Sequence, residues 1–523
     1  MKNNFPKSPV AYFVAEYALS SGAPTYAGGL GVLAGDYLLE AAKENFPFIL
    51  VSLKYDGFDA GKDSYEKVSD ASGKPLIISV PMEKREISVC AWTKQFGPNT
   101  AAILLDTDCA ENSSEDRLIC KTLYDPHLYM RIKQQLILGC AGPEVLSRLG
   151  ISPRIYHLNE GHTSLAALGI IALEMKTSDS FSKAVEVARG KIVFSKHTIF
   201  SDAGLYISSS EFFDHAARFC SAHMLDQKEI FKIGAYEKDE DLFSTTRFGI
   251  KMSSRRNAVS RLHMEQEKIL HPSSDFAYVT NGIFKDRWRF INALDTSDDA
   301  LFKTKSSARA TLVAFVNEKT GVALDPKALT LVWARRLVAY KRPRLLFSDV
   351  ARLKNILCNE KYPAQIIISG KAYSTDEEGQ KDVEIIRELA AKELKGFLAY
   401  IPDYSLDIAS RLVAGADVWV NTPERGKEAC GTSGMKAALN GALMCSISDG
   451  WMDEVDWAGA GWVLSEEKTA DSLYSFLEND IVPEFWNART TWAARMRKTI
   501  AIVETGFGAE RMLADYRKKI YLF

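Results

Sequence analysis

The sequence predicts an α/β protein built from two Rossmann-like, doubly wound domains. Short apolar runs recur along the chain, each followed by glycine or polar residues and then by a helical pattern. The runs are continuous rather than alternating, which signals parallel strands covered on both faces. There are at least ten of them in 523 residues, more than one ordinary sheet and one core hold.

In the first half the runs are Val10–Val14, Phe48–Leu53, Ile155–Leu158, Ile192–Phe194 and Phe276–Val279. In the second half they are Leu329–Trp333, Ile366–Ile368, Phe397–Ile401, Val418–Val420 and Ala442–Ile447. Between Ile78 and Leu105 the pattern alternates and helix signals are few, which reads as an antiparallel insertion. The hinge is placed after Trp288. From Asp295 a helix is predicted through Leu312 to Gly321, the glycine being its stop. The segment from Trp492 to Tyr521 is amphipathic and helical. The resulting division is a first domain over 1–290, a second over 291–490 and terminal helices over 491–523.

Composition excludes several classes. With 65 basic and 67 acidic residues the net charge is −2, so no general nucleic-acid binding is expected. Met1–Pro9 carries no apolar leader, and no run is long enough to span a bilayer, so a cytoplasmic protein is expected. The eight cysteines form no C-x-x-C pair and the eight histidines no zinc-like pair, so neither disulfides nor a metal site are expected.

The most informative segment is Glu428-Ala-Cys-Gly-Thr-Ser-Gly-Met-Lys436, between a buried run closed by Pro423 and a helix start at Ala437. Glycines at a helix start leave N–H groups facing outward, where the dipole favours an anion. Lys436 can neutralise a phosphate there, carry a carbonyl cofactor, or simply lie at the surface.

Other capable residues also fall just past the apolar runs. These are Asn159, Glu160 and His162, then Lys196 and His197, Asn281, Arg335 and Arg336, Lys371, and Asp449. Ligands of open α/β sheets bind at the carboxyl ends of strands. Adjacent Arg335 and Arg336 after a buried strand, with Lys341 close by, point to one or two phosphates. A second glycine segment, Tyr26-Ala-Gly28-Gly29-Leu-Gly31, precedes an apolar helix from Tyr37 and reads as a loop that lets backbone approach an anion or sugar. It lacks the spacing of the dinucleotide fingerprint.

Taken in order, Tyr26–Asp36, His157–His162, Val279–Gly282, Ala334–Arg342, Ser369–Ala372 and Asn421–Gly441 make the chain resemble the glycogen and maltodextrin phosphorylase family in its short bacterial and archaeal form. The resemblance covers nearly the whole chain. It implies a GT-B fold with an inter-domain active-site cleft and a last helix returning to the first domain. It implies pyridoxal phosphate joined covalently to Lys436, with Tyr404 near its ring and Arg335, Lys341 and the Thr432–Ser433 backbone on its phosphate. Arg336 would clamp the substrate phosphate. His197, Asn281, Tyr340, Glu428 and the Cys430–Gly431 backbone would bind the reacting glucose, with Gly28, Gly29 and Gly31 beside it. Asn159, Glu160 and His162 would line the neighbouring sugar path.

The activity so implied is retaining phosphorolysis of an α-1,4-glucan or maltodextrin by inorganic phosphate, giving glucose 1-phosphate, with Arg336, Lys341 and His197 as catalytic residues. A homodimer follows by analogy. The alternative is a nucleotide-sugar glycosyltransferase of the same fold, which shares the glycine segment but has no use for a cofactor on Lys436. The chain departs from the family pattern at Cys430, where serine is usual, at Arg335, where the long form has lysine, and in the run around Gly426 and Lys427.

Overall fold

The computed structural model describes residues 5–19, 24–58, 63–70, 72–200, 204–291, 296–372 and 376–522. Met1–Asn4, part of the expected leaderless terminus, and Asp295, the expected helix start, lie outside them. The chain is α/β and separates into two compact units. One comprises the chain up to Val259, Met264–Val279 and Leu513–Phe523; the other comprises Ser260–His263 and Thr280–Met512.

The first unit is built on a ten-stranded sheet. From one edge its order is Ala277–Tyr278, Arg255–Ala258, Ile192–Ser195, Ile155–Asn159, Val10–Phe13, Phe48–Leu53, Thr100–Asp106, Arg85–Gly97 and Glu66–Lys67. The seven strands up to Thr100–Asp106 run parallel. Val10–Phe13 and its two neighbours are buried throughout; Val10–Phe13 is wholly apolar, and Ser52, His157 and Asn159 are polar residues buried in the neighbours. Beyond Thr100–Asp106 the pairing turns antiparallel, and Ile77–Met82 adds to Arg85–Gly97 with alternating burial. A hairpin edge keeps one wet face, hence the alternation between Ile78 and Leu105.

The sheet order reverses at Val10–Phe13. The chain moves one way to Phe48–Leu53 and the other way to Ile155–Asn159. A crevice at the carboxyl ends of such strands is where α/β sheets bind ligands. Two segments leave that point: the chain after Phe13, reaching Glu16, and the chain after Asn159.

The C-terminal turn Tyr516–Tyr521 is tied into this unit by buried polar groups. His157 Nδ1 lies 2.7 Å from the Tyr521 hydroxyl and its Nε2 2.6 Å from Ser195 Oγ. Ser195 Oγ in turn lies 3.1 Å from the Tyr516 hydroxyl. Burial drives the His157 pKa well below its ordinary value.

The second unit holds a six-stranded, wholly parallel sheet in the order Leu398–Ile401, Ala364–Ser369, Leu329–Ala334, Val418–Asn421, Leu443–Ser446 and Gly461–Val463. Its core includes Trp333, Ile368, Val420 and Cys445. Here the order reverses between Leu329–Ala334 and Val418–Asn421, so Arg335 leaves the sheet at the switch point. The helix Asp298–Thr320 is capped by Ser297, whose side chain accepts from the Ala300 N–H, and it ends on Gly321 at φ +70°. Only a residue tolerant of the left-handed region stops a helix that way without strain.

Among the described residues no helix is long and apolar enough to cross a membrane, and no group of three or more His, Cys, Asp or Glu could hold a metal ion.

Candidate active site

In the second unit, Arg335 directly follows the strand Leu329–Ala334 and is buried. Lys341 lies in the 3-10 turn Ala339–Lys341 and is also buried. Both converge on one carboxylate. Glu428 Oε2 lies 2.9 Å from Arg335 Nη1 and 3.0 Å from Lys341 Nζ. Burial pushes the Glu428 pKa up, but Arg335 and Lys341 outweigh it and hold the group at about 2. Burial and the repulsion of Arg335 bring Lys341 down to about 8, against the pull of Glu428. Two interior cations thus share one carboxylate, and Arg335 Nε has no hydrogen-bond partner. Such a cluster is electrostatically short of an anion.

Tyr340 and Arg336 border this cluster. The Tyr340 hydroxyl is pushed up to about 12 by burial and by Glu428, and a hydrogen bond with Arg336 opposes the shift. Arg336 itself is exposed. The Glu428 N–H donates to Asp449 Oδ2 at 3.0 Å. Burial, reinforced by Glu428, lifts that aspartate to about 6.

Lys436 is the fifth residue of the helix Thr432–Leu439. Gly431 caps that helix at φ +87° with no side-chain cap, so no side chain competes for the N–H groups of the first turn, which begins at Thr432 and Ser433. Lys436 is 6% exposed, and its Nζ lies 4.3 Å from the centroid of the Trp288 ring. Tyr404 is half-buried between the strand Leu398–Ile401 and the helix Leu406–Gly415. Cys430 is buried, and burial pushes its thiol up; the Asn281 backbone hydrogen-bonds to it. Asn281 Oδ1 is buried without a partner.

In the first unit, Asn159 ends a switch-point strand and Glu160 follows at φ +72°, an uncommon conformation for a side-chain-bearing residue. Glu160 Oε2 accepts from the His197 N–H at 2.9 Å. His197 Nε2 lies 2.5 Å from Asn159 Oδ1. The His162 ring lies 5.0 Å from the Tyr124 ring, tilted at 44° to it, and burial lowers its pKa to about 4.

Gly28 is the N-cap of the helix Gly29–Lys43. Gly29 and Gly31 are therefore helical, not part of a loop ahead of a helix at Tyr37. The cause is steric: a Cβ on Gly31 would sit 2.5 Å from Tyr26 Cβ and 3.0 Å from Glu16 Oε2. Only glycine lets the helix begin so close to the chain before it. Glu16, which the motif reading passed over, accepts from the N–H groups of Ala27 at 2.8 Å and Gly28 at 3.1 Å. Its position just past Val10–Phe13 was the available signal. Trp288 and Asn440 were also passed over, since neither follows a strand.

A family profile described as carbohydrate phosphorylase matches residues 290–458. The maltodextrin phosphorylase of Thermococcus litoralis is 32% identical over 99% of this chain and 71% of its own length. The glycogen phosphorylase of Aquifex aeolicus is 30% identical, covering 98% and 86%. An uncharacterised protein of Methanocaldococcus jannaschii is 29% identical, covering 98% and 99%. The chain belongs to the glycogen and maltodextrin phosphorylase family.

Proposed function

We propose that this protein is an α-1,4-glucan phosphorylase. It cleaves glucan non-reducing ends with inorganic phosphate, retains configuration and releases glucose 1-phosphate. The observation that carries this reading is the buried Arg335–Lys341 pair sharing Glu428, with Arg336 exposed at its edge. In the proposed arrangement the two units are the Rossmann-like halves of a GT-B fold.

The residues present fit pyridoxal phosphate. Lys436 offers a buried amine, Arg335 an unpartnered Nε, and the helix at Thr432–Ser433 a start with no side-chain cap. Lys436 would hold its aldehyde carbon, Arg335, Lys341 and the Thr432 and Ser433 N–H groups its phosphate, and Tyr404 would flank its ring. Bound there, the cofactor would supply a phosphate that exchanges a proton with the substrate phosphate.

Arg336 binds the incoming orthophosphate, and the neighbouring cations offset the repulsion of two adjacent anions. A proton passes from orthophosphate to the glycosidic oxygen, the bond from that oxygen to C1 breaks, and an orthophosphate oxygen bonds to C1 on the same face. Glu428, charged at neutral pH, holds Lys341 and accepts from a sugar hydroxyl. Asn281 Oδ1 retains capacity for one more hydroxyl. Asn159 and Glu160 fix the imidazole and backbone of His197 for the reacting glucose.

The test is incubation with maltodextrin and orthophosphate, read by phosphorus NMR. α-Glucose 1-phosphate should accumulate without any nucleotide sugar. Arg336→Ala should raise KM for orthophosphate by roughly 10- to 100-fold, the worth of a charge-assisted contact. Turnover that requires a nucleotide sugar would overturn the proposal.

A further inference from the structure

Asn440 follows the helix that carries Lys436 and is fully buried. Its carboxamide makes four hydrogen bonds. Oδ1 accepts from the N–H of Phe290 at 2.8 Å and of Ile291 at 3.1 Å. Nδ2 donates to the carbonyl of Trp288 at 2.7 Å and of Lys436 at 2.9 Å. The amide is thus used to capacity, with two donors and two acceptor sites occupied. Aspartate has the same shape but no donor when ionised, so it would face two carbonyls with a negative charge. Alanine would remove the side-chain partner of all four backbone groups.

The four bonds run to two places that matter for one atom. One is the backbone of Lys436. The other is the stretch from Trp288 to Ile291, and Trp288 is the residue whose ring faces Lys436 Nζ at 4.3 Å. Trp288 is 2% exposed, so its ring cannot turn freely once its backbone is fixed. An aromatic face attracts an ammonium, so the position of that ring governs the direction in which the lysine nitrogen points.

We propose that Asn440 is a positioning residue for Lys436. It locks lysine and tryptophan into one geometry and thereby sets how firmly Lys436 holds an aldehyde cofactor. The inference rests on the reading that Lys436 carries pyridoxal phosphate. A further clamp acts on the same residue, since Lys305 Nζ donates to the Asn440 carbonyl at 2.9 Å.

The experiment challenges the holoprotein with hydroxylamine and follows cofactor release by absorbance. Asn440→Asp and Asn440→Ala should release it about tenfold faster than the parent or more, since one lost buried hydrogen bond alone is worth about that factor. Leu473→Ala, a core truncation in the same unit, serves as the control for simple loss of stability and should release at the parental rate. Should neither Asn440 variant fold, Trp288→Leu leaves the amide's bonds intact, removes the ring face, and must also release faster. Parental release rates in the Asn440 variants, in Trp288→Leu, or equal acceleration in Leu473→Ala, overturn the proposal while leaving the phosphorylase reading intact. A parent protein with no cofactor on Lys436 overturns both.

Discussion

Lys341 Nζ stands 3.0 Å from Glu428 Oε2, with both side chains only 11% exposed. The carboxylate also neutralises Arg335, so its removal strands two interior cations. Breaking a buried pair costs about 3–5 kcal/mol. Glu428→Gln should therefore lower stability by about that amount in denaturant unfolding. Orthophosphate or sulfate should restore more stability to the variant than to the parent, because an anion takes the place of the missing charge. Equal salt response in both proteins would contradict this account of the cluster.

Lys305 tests the electrostatics of the second unit from another side. It donates to the carbonyls of Ala414 and Asn440, and burial lowers its pKa from 10.5 to about 7. Between pH 7 and 10.5 the unfolded chain holds a proton that the folded chain has released, so stability rises with pH in that window. Relative to Lys305→Met, the parent should gain roughly 2 kcal/mol between pH 7 and 9. Urea unfolding of both proteins at the two pH values measures it.

His157 acts with the same sign at acid pH. Its folded pKa lies well below 6.5, so its contribution is complete above pH 6.5 and is lost as the unfolded state gains a proton below it. The parent should lose about 1.4 kcal/mol per pH unit more than His157→Gln below pH 6.5. Proteolysis near Tyr516–Tyr521 should increase over the same range, since His157 holds the Tyr521 hydroxyl.

Gly31→Ala places a Cβ 2.5 Å from Tyr26 Cβ and must displace the glycine segment. A small misplacement of a positioning element costs on the order of 100-fold in rate. kcat/KM for glucan should fall by about that factor while bound cofactor stays at the parental level. A parental kcat/KM would show that the segment does not contact substrate.

Much of this arrangement was legible in the chain because parallel strands buried on both faces cannot avoid continuous apolar runs. Leu329–Trp333 and Ile366–Ile368 are such cases. The strand Arg255–Ala258 was not legible, since its residues are Arg-Arg-Asn-Ala and nothing in that composition demands a sheet. His157 opens the segment that carries Asn159, Glu160 and His162 but was given no role in the sequence; its ring lies in the core beside Tyr521, a placement that strand direction decides and a motif does not contain. The cation cluster was visible as a pattern after strand ends, whereas the sharing of Glu428 was not, because a carboxylate 87 residues from Lys341 acquires its partner only through the fold. Asn440 was invisible for the same reason: an amide's four partners come from separate segments.

The most direct measurement is borohydride reduction of freshly purified protein followed by peptide mapping. The account predicts a single pyridoxyl adduct on Lys436, and its disappearance together with phosphorolysis in Lys436→Ala. An unmodified Lys436 in protein that nonetheless phosphorolyses maltodextrin would contradict it.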